Sequence, residues 1–485
     1  MALFRDYLIT IAGRIASAAA TFLSLPLLLE HLGTNEYSLI AFASLVQGYA
    51  NILDAGLSPA LASNVARHSG HRDQALQIIT TSTYSFIIKF SKYALPLLVP
   101  LFATACVTLP QVSLERLAIL CAILLLDAFI SAIFRLQYSA LQGLSDHAIA
   151  NGAYSLNIVM RTALAVGIAA LGYQVEYIYI AQLLITCAAI VASLIYYKNR
   201  SFLSHPGPLI DIRHAESSTT RDLTMIAIFL AIINSIPLIV LGRMGGSNEL
   251  NHFFLATSLG SIIATLQGSL ISVMIPNLSR ELAKTSVNHQ HRDFGYMSRN
   301  VVYVSFVLGG FAFCLAEPIV GIWIRKTNVD SALLATLFRF QLISAAFVSL
   351  TIVPYALSIP LHETRIQFIG VGIYLLACCI VMPLARYFGN IEFFGLVTMM
   401  LGVCFSTGYF LASSKLIQAS ARSTRTWTLI AKPVLYIAIA LIAARVGTNM
   451  LLSTQGAPAW LMASGIYAFL IYGLFWFEWK NNSRK

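Results

Sequence analysis

Apolar runs recur along the whole chain, separated by short polar connections. A helix needs ~20 largely apolar residues to cross a bilayer. Helices and closed barrels alone satisfy their backbone groups inside one. The pattern predicts fourteen spans, near 7–30, 36–58, 80–105, 116–141, 148–171, 176–197, 222–242, 250–275, 298–320, 333–357, 366–385, 392–412, 432–451 and 459–479. The expected fold class is therefore an all-α polytopic membrane protein. The Ala16–Ala20 stretch resembles a signal-peptidase site, but Arg14 would then sit inside the apolar part of the signal. The first span is read as a retained membrane helix.

Composition agrees with this picture. Of 485 residues, 58% are apolar and 11% charged, where a soluble chain carries about 25% charge. That excludes an ordinary cytosolic enzyme, a disordered chain and a disulfide-built secreted module. The seven cysteines lie almost entirely in apolar runs, with no CxxC pair or Cys/His ligand spacing. They read as small hydrophobes, and no metal or other cofactor is expected.

The net charge of +11 reads as loop charge and not as a nucleic-acid surface. Of the 31 Lys and Arg residues, 19 fall on the side of the N-terminus and 5 on the opposite side. The positive-inside rule then puts both termini in the cytoplasm. The seven remaining cations lie within spans: Arg14, Lys89, Lys92, Arg135, Arg161, Arg339 and Arg445.

A repeat divides the chain. Gly33-Thr34-Asn35-Glu36 follows span 1, and Gly246-Ser247-Asn248-Glu249 follows span 7. A second pair of segments opens at Pro59 and at Pro276, both fitting Pro-x-Leu-small-x-x-aliphatic-Ala-basic. Six spans separate the copies, so the halves share an orientation. This predicts two six-helix lobes related by an axis along the membrane normal, with the binding site between or within them. The expected boundaries are an N-terminal lobe at 1–200, a cytoplasmic linker at 201–221 carrying Pro206 and Pro208, a C-terminal lobe at 222–412, and two extra helices at 432–479.

Polar residues recur at helical spacing within the spans. Thr10, Arg14, Ser17 and Thr21 share one face of span 1. Span 2 carries Ser44, Gln47, Asn51, Asp54 and Ser58, and span 3 carries Ser85, Lys89 and Lys92. Span 4 gives Asp127, Ser131, Arg135, Tyr138 and Gln142, and span 5 gives Tyr154, Asn157 and Arg161. Span 8 has an uncharged stripe of Ser258, Ser261, Thr265 and Ser272. Hydroxyl stripes often do no more than bond between helices, and Arg339 and Arg445 sit close enough to span ends to snorkel.

Lys89, Lys92 and Arg161 are near mid-span. Three such charges facing lipid would cost on the order of 8–10 kcal/mol together. Asp127 can pair with Arg135 two turns below it, but cations outnumber anions. The economical arrangement is a hydrated, electropositive cavity in the first lobe, suited to an anion such as phosphate. Asp127 and Asp54 are candidates for coupling to H⁺ or Na⁺, with a structural ion pair as the other reading of Asp127.

No GxxxxGK[ST], HExxH or GxSxG element occurs, so neither a P-loop ATPase nor those hydrolase sites are supported. No long exposed connection offers a catalytic loop, which makes a membrane glycosyltransferase or glycan polymerase the less favoured reading.

Pro26-Leu27-Leu28-Leu29, Leu32-Gly33 with Glu36-Tyr37, Leu53-Asp54-Ala55-Gly56-Leu57-Ser58 and Ala66-Arg67 resemble the opening of the Wzx-type oligosaccharide flippases. These belong to the multidrug/oligosaccharidyl-lipid/polysaccharide exporter superfamily. Leu141-Gln142-Gly143-Leu144 is also similar to that family. A basic residue commonly follows there in relatives, where this chain has Ser145-Asp146-His147. The resemblance implies a non-enzymatic flippase of the bacterial inner membrane. Its substrate would be an undecaprenyl-diphosphate-linked oligosaccharide for O-antigen or another surface polysaccharide, moved by alternating access. It also implies membrane lipids, a polysaccharide polymerase and a chain-length regulator as partners. On this reading Lys89, Lys92 and Arg161, with Arg14 and Arg135, hold the diphosphate, and Tyr138, Tyr154 and Asn157 face the sugars. A multidrug exporter and a lipid II flippase of the same superfamily are the alternatives.

Overall fold

The computed structural model describes residues 2–54, 57–67, 78–84, 86–88, 99, 102–106, 108–109, 112–144, 146–199, 213–284, 291–324, 329–359, 364–418 and 467. Among these the chain is helical, with no strand. The elements run α1 (Ala2–Asp54), α2 (Leu57–Arg67), α3 (Leu114–Gly143), α4 (His147–Ala170), α5 (Val175–Asn199), α6 (Arg213–Met244), α7 (Gly246–Lys284), α8 (His291–Cys314), α9 (Ala316–Trp323), α10 (Ser331–Ser358), α11 (Arg365–Phe388) and α12 (Ile391–Gln418). Among the described residues, seven segments are long and apolar enough to cross a membrane, eight with the bent pair α8–α9 counted as one span. The protein is a multi-pass membrane protein.

Spans 4 to 8 and 10 to 12 each correspond to one described helix. Spans 1 and 2 run together as α1, broken only at Gly33 (φ 73°, ψ 172°). Glycine alone adopts that backbone without strain. Span 9 is split: α8 and α9 meet at Leu315 with a bend of 66°. A broken helix at membrane depth is tolerated where protein covers it. Here Glu317, in the first turn of α9, pairs with Arg339 of α10 at 2.8 Å. The guanidinium also lies 5.6 Å from the ring of Phe313, so Arg339 faces protein partners and does not simply snorkel. α6 begins at Arg213, inside the segment assigned to the linker. Span 3 is described only in fragments, and spans 13 and 14 lie outside the described residues except for Tyr467.

Contacts between connections give the topology its parity. Arg116 holds both Glu36 (2.7 Å) and Glu176 (2.6 Å), and Arg386 holds Glu249 (3.1 Å). All five side chains sit at span ends that an alternating path places at one face of the bundle. At the other end Tyr196 donates to Asp146 (3.1 Å) and Thr364 to Asp222 (3.1 Å).

The halves share an apolar core. α1 packs along α4 in the first half and against α6 and α7 of the second. α10 packs on α7, α8 and α12. One cluster of buried side chains runs from Leu25 and Tyr37 through Leu120 to Phe253 and Phe394. Smaller clusters lie within each half, one around Leu136 and Leu141 and one around Phe306 and Phe410.

Candidate functional site

A cavity of about 200 Å³ lies between α1 and α4 of the first half and α7 of the second. Its polar lining comes from three stripes. α1 contributes Arg14, Ser17 and Thr21; α4 contributes Tyr154; α7 contributes Ser258, Ser261 and Thr265. Both hydroxyl stripes recur at i, i+3 and i+7, which stacks side chains on one helix face. Arg14 is the one charged side chain among the lining residues, and no carboxylate is among them.

Arg14 is held by aromatics. Its guanidinium lies 4.1 Å from the ring centroid of Tyr154 and 5.8 Å from that of Tyr138. Cations gain from such π faces, most when water is excluded. Arg14 Nη2 donates to the Tyr138 hydroxyl at 3.1 Å. That hydroxyl donates to Asn151 Oδ1 (2.8 Å) and accepts from Gln142 Nε2 (2.6 Å). A chain of contacts thus runs from the Leu-Gln-Gly segment through Tyr138 to the cavity cation. Arg14 Nε is buried with no partner. The adjoining Gly13 lets α1 approach α4, since a Cβ there would stand 2.5 Å from Ser155 Oγ.

Arg161 occupies a different setting. Its Nη2 donates to Asp127 Oδ2 (2.7 Å) and Gln182 Oε1 (3.0 Å), and its Nη1 to Ser131 Oγ (2.9 Å) and Thr186 Oγ1 (3.1 Å). The four acceptors form two i, i+4 pairs on α3 and α5, so Arg161 ties three helices of the first half together. Asp127 is wholly buried, with its Oδ1 lacking a hydrogen-bond partner. Spacing along span 4 had offered Arg135 as the mate of Asp127. The helix crossing brings Arg161 to it instead, because residues eight apart on one helix are separated by about 12 Å of rise. Gln182 and Thr186 were missed as partners, although their i, i+4 spacing in an apolar span was the available signal.

Of the expected cations, Arg14 lines the cavity, Arg135 and Arg161 are not among the lining residues, and Lys89 and Lys92 lie outside the described residues. Of the expected sugar-facing residues, Tyr154 lines the cavity. Tyr138 (7% exposed) and Asn157 (6% exposed) are buried and are not among the lining residues. Asp54 ends α1, Pro59 lies in the first turn of α2 and α7 runs helical through Pro276, but these three side chains lie outside the described residues. The repeated turns are alike in conformation: Gly33 and Gly246 have φ of 73° and 77°, and Glu36 and Glu249 each hold an arginine.

No protein-family model matches the sequence. No curated protein matches it. Solved structures do. The MATE transporter VcmN of Vibrio cholerae, in a mutant form, superposes with a TM-score of 0.67 at 15% identity, covering 86% of this chain and 97% of that one. A MOP superfamily transporter from Pyrococcus furiosus superposes with a TM-score of 0.64 at 16% identity, covering 87% and 96%. A multidrug resistance MATE family transporter in an outward-facing conformation gives 0.64 at 17% identity, covering 86% and 96%. The chain has the fold of the MATE transporters. That fold is an assembly of 12–14 helices in two lobes, and it places the Arg14 cavity at the meeting of the halves.

Proposed function

We propose that the chain is a flippase for an undecaprenyl-diphosphate-linked oligosaccharide, carrying it from the cytoplasmic to the periplasmic leaflet for surface polysaccharide synthesis. The observation that supports this reading is the charge of the cavity between the halves. Its one charged lining side chain among the described residues is Arg14, and its remaining polar lining consists of hydroxyls. A cationic drug gains nothing from such a site, whereas a diphosphate gains a charge-assisted contact. Pocket polarity separates functions within this fold: the Pyrococcus furiosus transporter is described as having a binding pocket of reverse polarity that suggests a different function.

In the mechanism we infer, the headgroup enters between the lobes while the isoprenyl tail stays in the bilayer, and rocking of the lobes changes the side to which the cavity opens. Arg14 meets the diphosphate, with Arg135, Lys89 and Lys92 as further cationic contacts. Arg161, neutralised by Asp127 and held by three neutral acceptors, braces the first half beside the cavity. Coupling to H⁺ or Na⁺ at Asp127 would work through its Oδ1, beside the Arg161 pair. The setting is the bacterial inner membrane with both termini cytoplasmic, and the protein partners are a polysaccharide polymerase and a chain-length regulator.

Reconstitution tests this. Proteoliposomes holding the protein should move a lipid-linked oligosaccharide to the leaflet where an added glycosidase cleaves it, and Arg14→Gln should slow that at least tenfold. Export of a cationic dye with no glycolipid movement would instead mark a multidrug exporter.

A further inference from the structure

The hydroxyls facing Arg14 are not interchangeable hydrogen-bonding groups. Ser17 Oγ donates to the carbonyl of Gly13 (3.0 Å) and Thr21 Oγ1 to that of Ser17 (3.0 Å). Across the cavity, Ser261 Oγ donates to Ser258 O (2.7 Å) and Thr265 Oγ1 to Ser261 O (2.9 Å). A carbonyl oxygen only accepts, so in each of these bonds the hydroxyl has given up its single proton. What each side chain keeps is its lone pairs. These four hydroxyls, contributed by different halves of the molecule, therefore present acceptors to the cavity.

This decides what can sit there. Phosphate oxygens are acceptors and find no donor in these four hydroxyls. A cationic donor would meet acceptors but also the charge of Arg14. A neutral polyol matches, because each sugar hydroxyl brings a proton to a waiting lone pair. Arg14, the charged side chain of the lining, supplies the anion contact at the end of the stripes nearer the N-terminus.

We propose that Ser17, Thr21, Ser261 and Thr265 form an acceptor-only subsite for sugar hydroxyls, adjoining Arg14 as the anion contact. The cavity would thus read a glycosyl diphosphate in two parts, with charge at one end and hydroxyl protons along the slot. The proposal rests on the flippase reading and adds to it the element that separates a glycosylated lipid from the bare isoprenyl diphosphate. It also assigns half of that discrimination to α7, whose stripe carries no charge.

Binding to the purified full-length protein in lipid nanodiscs tests it with three probes: undecaprenyl diphosphate, the same lipid linked to glucose, and the lipid linked to permethylated glucose. The glucosyl lipid should bind at least tenfold tighter than the bare one, and permethylation, which removes hydroxyl protons but keeps the ring, should erase that gain. In Thr21→Val/Thr265→Val, which keeps side-chain shape but removes the acceptors, the ratio of the two affinities should fall close to one. Arg14→Gln should weaken both lipids together. If permethylated glucose binds as well as glucose, or the double valine variant keeps the full ratio, the acceptor subsite is wrong even when Arg14→Gln weakens both lipids. If Arg14→Gln leaves the bare lipid's affinity unchanged, it is the anion reading itself that fails.

Discussion

Asn251 donates its side-chain amide to the backbone carbonyl of Thr34 at 3.0 Å. That bond ties the first Gly-x-Asn-Glu turn to the residue two places beyond the second copy, across the boundary between the halves. Beside it Tyr37 meets Phe254 with ring centroids 5.9 Å apart, and further along α1 Trp323 stacks on Phe22 at 5.3 Å and donates to its carbonyl at 2.6 Å. The halves are therefore closed against each other at the end where α1 turns. If this closure alternates with an open form, weakening it should expose what it covers. Ser38, wholly buried one residue past Tyr37, is a reporter. In a cysteine-free background carrying Ser38→Cys, Asn251→Ala should raise the rate of labelling by a membrane-impermeant maleimide several-fold.

The repeated glycines make a separate prediction. A Cβ at Gly33 or Gly246 would meet nothing within 4 Å, yet both residues have positive φ. Any penalty for alanine is thus conformational and not steric, about 1–3 kcal/mol for such a backbone. Gly33→Ala and Gly246→Ala should each lower the thermal stability of the detergent-solubilised protein. Gly167→Ala is the control: it has equal open space and helical backbone, and there alanine is favoured by about 1 kcal/mol. That variant should melt no lower than the parent.

Gly143 is under the opposite constraint. Its φ is not positive, but a Cβ would stand 2.7 Å from Val65 Cβ and 2.9 Å from the Ala62 carbonyl. α2 and α3 meet there backbone to backbone. Gly143→Ala should cost about 1–3 kcal/mol by overpacking, and pairing it with Val65→Ala should recover part of the loss, leaving the Ala62 carbonyl contact. Thermal unfolding of the parent and the two variants measures this.

How much of this was legible beforehand depends on whether the information lies along one helix or between two. Arg14, Ser17 and Thr21, and separately Ser258, Ser261 and Thr265, are readable as stripes because helical periodicity is a property of one segment. That the two stripes face each other is a property of packing, and apolar runs of similar composition do not say which helices touch. The same gap explains why Asp127 meets Arg161 and not Arg135, and why Tyr138 turns toward Asn151 and Gln142 instead of the cavity. The break at Leu315 was also hidden, since the nearest breaker, Pro318, falls inside the first turn of α9, where proline is tolerated. By contrast the turn repeat was fully visible, because a left-handed glycine followed by an arginine-binding glutamate leaves its mark within four residues.

The Asp127–Arg161 pair predicts an asymmetry between single and double substitutions. Removing one partner of a buried pair strands the other charge and costs about 3–5 kcal/mol. Asp127→Leu and Arg161→Met should each sharply reduce the folded yield. The double variant, which strands no charge, should recover most of it. Recovery of folding together with transport would make the pair a brace between α3, α4 and α5. Recovery of folding with transport still lost would give the pair a part in transport beyond bracing the fold.

The last prediction concerns how Arg14 is aimed. Tyr138→Phe removes the hydroxyl that accepts from Arg14 and Gln142 and donates to Asn151. It leaves buried polar groups unsatisfied, at about 1–3 kcal/mol, and frees the guanidinium to turn on Tyr154. Arg14→Lys keeps the charge but loses the planar contact with the tyrosine ring and the fixed fork of donors. If orientation matters as well as charge, initial flipping rates in proteoliposomes should fall in the order parent, Tyr138→Phe, Arg14→Lys, Arg14→Gln. Gln142→Leu, which reaches Arg14 through Tyr138, should behave like Tyr138→Phe. A lysine variant as fast as the parent would mean that the cavity needs only a positive charge. The contacts from Gln142 to Arg14 would then serve packing alone.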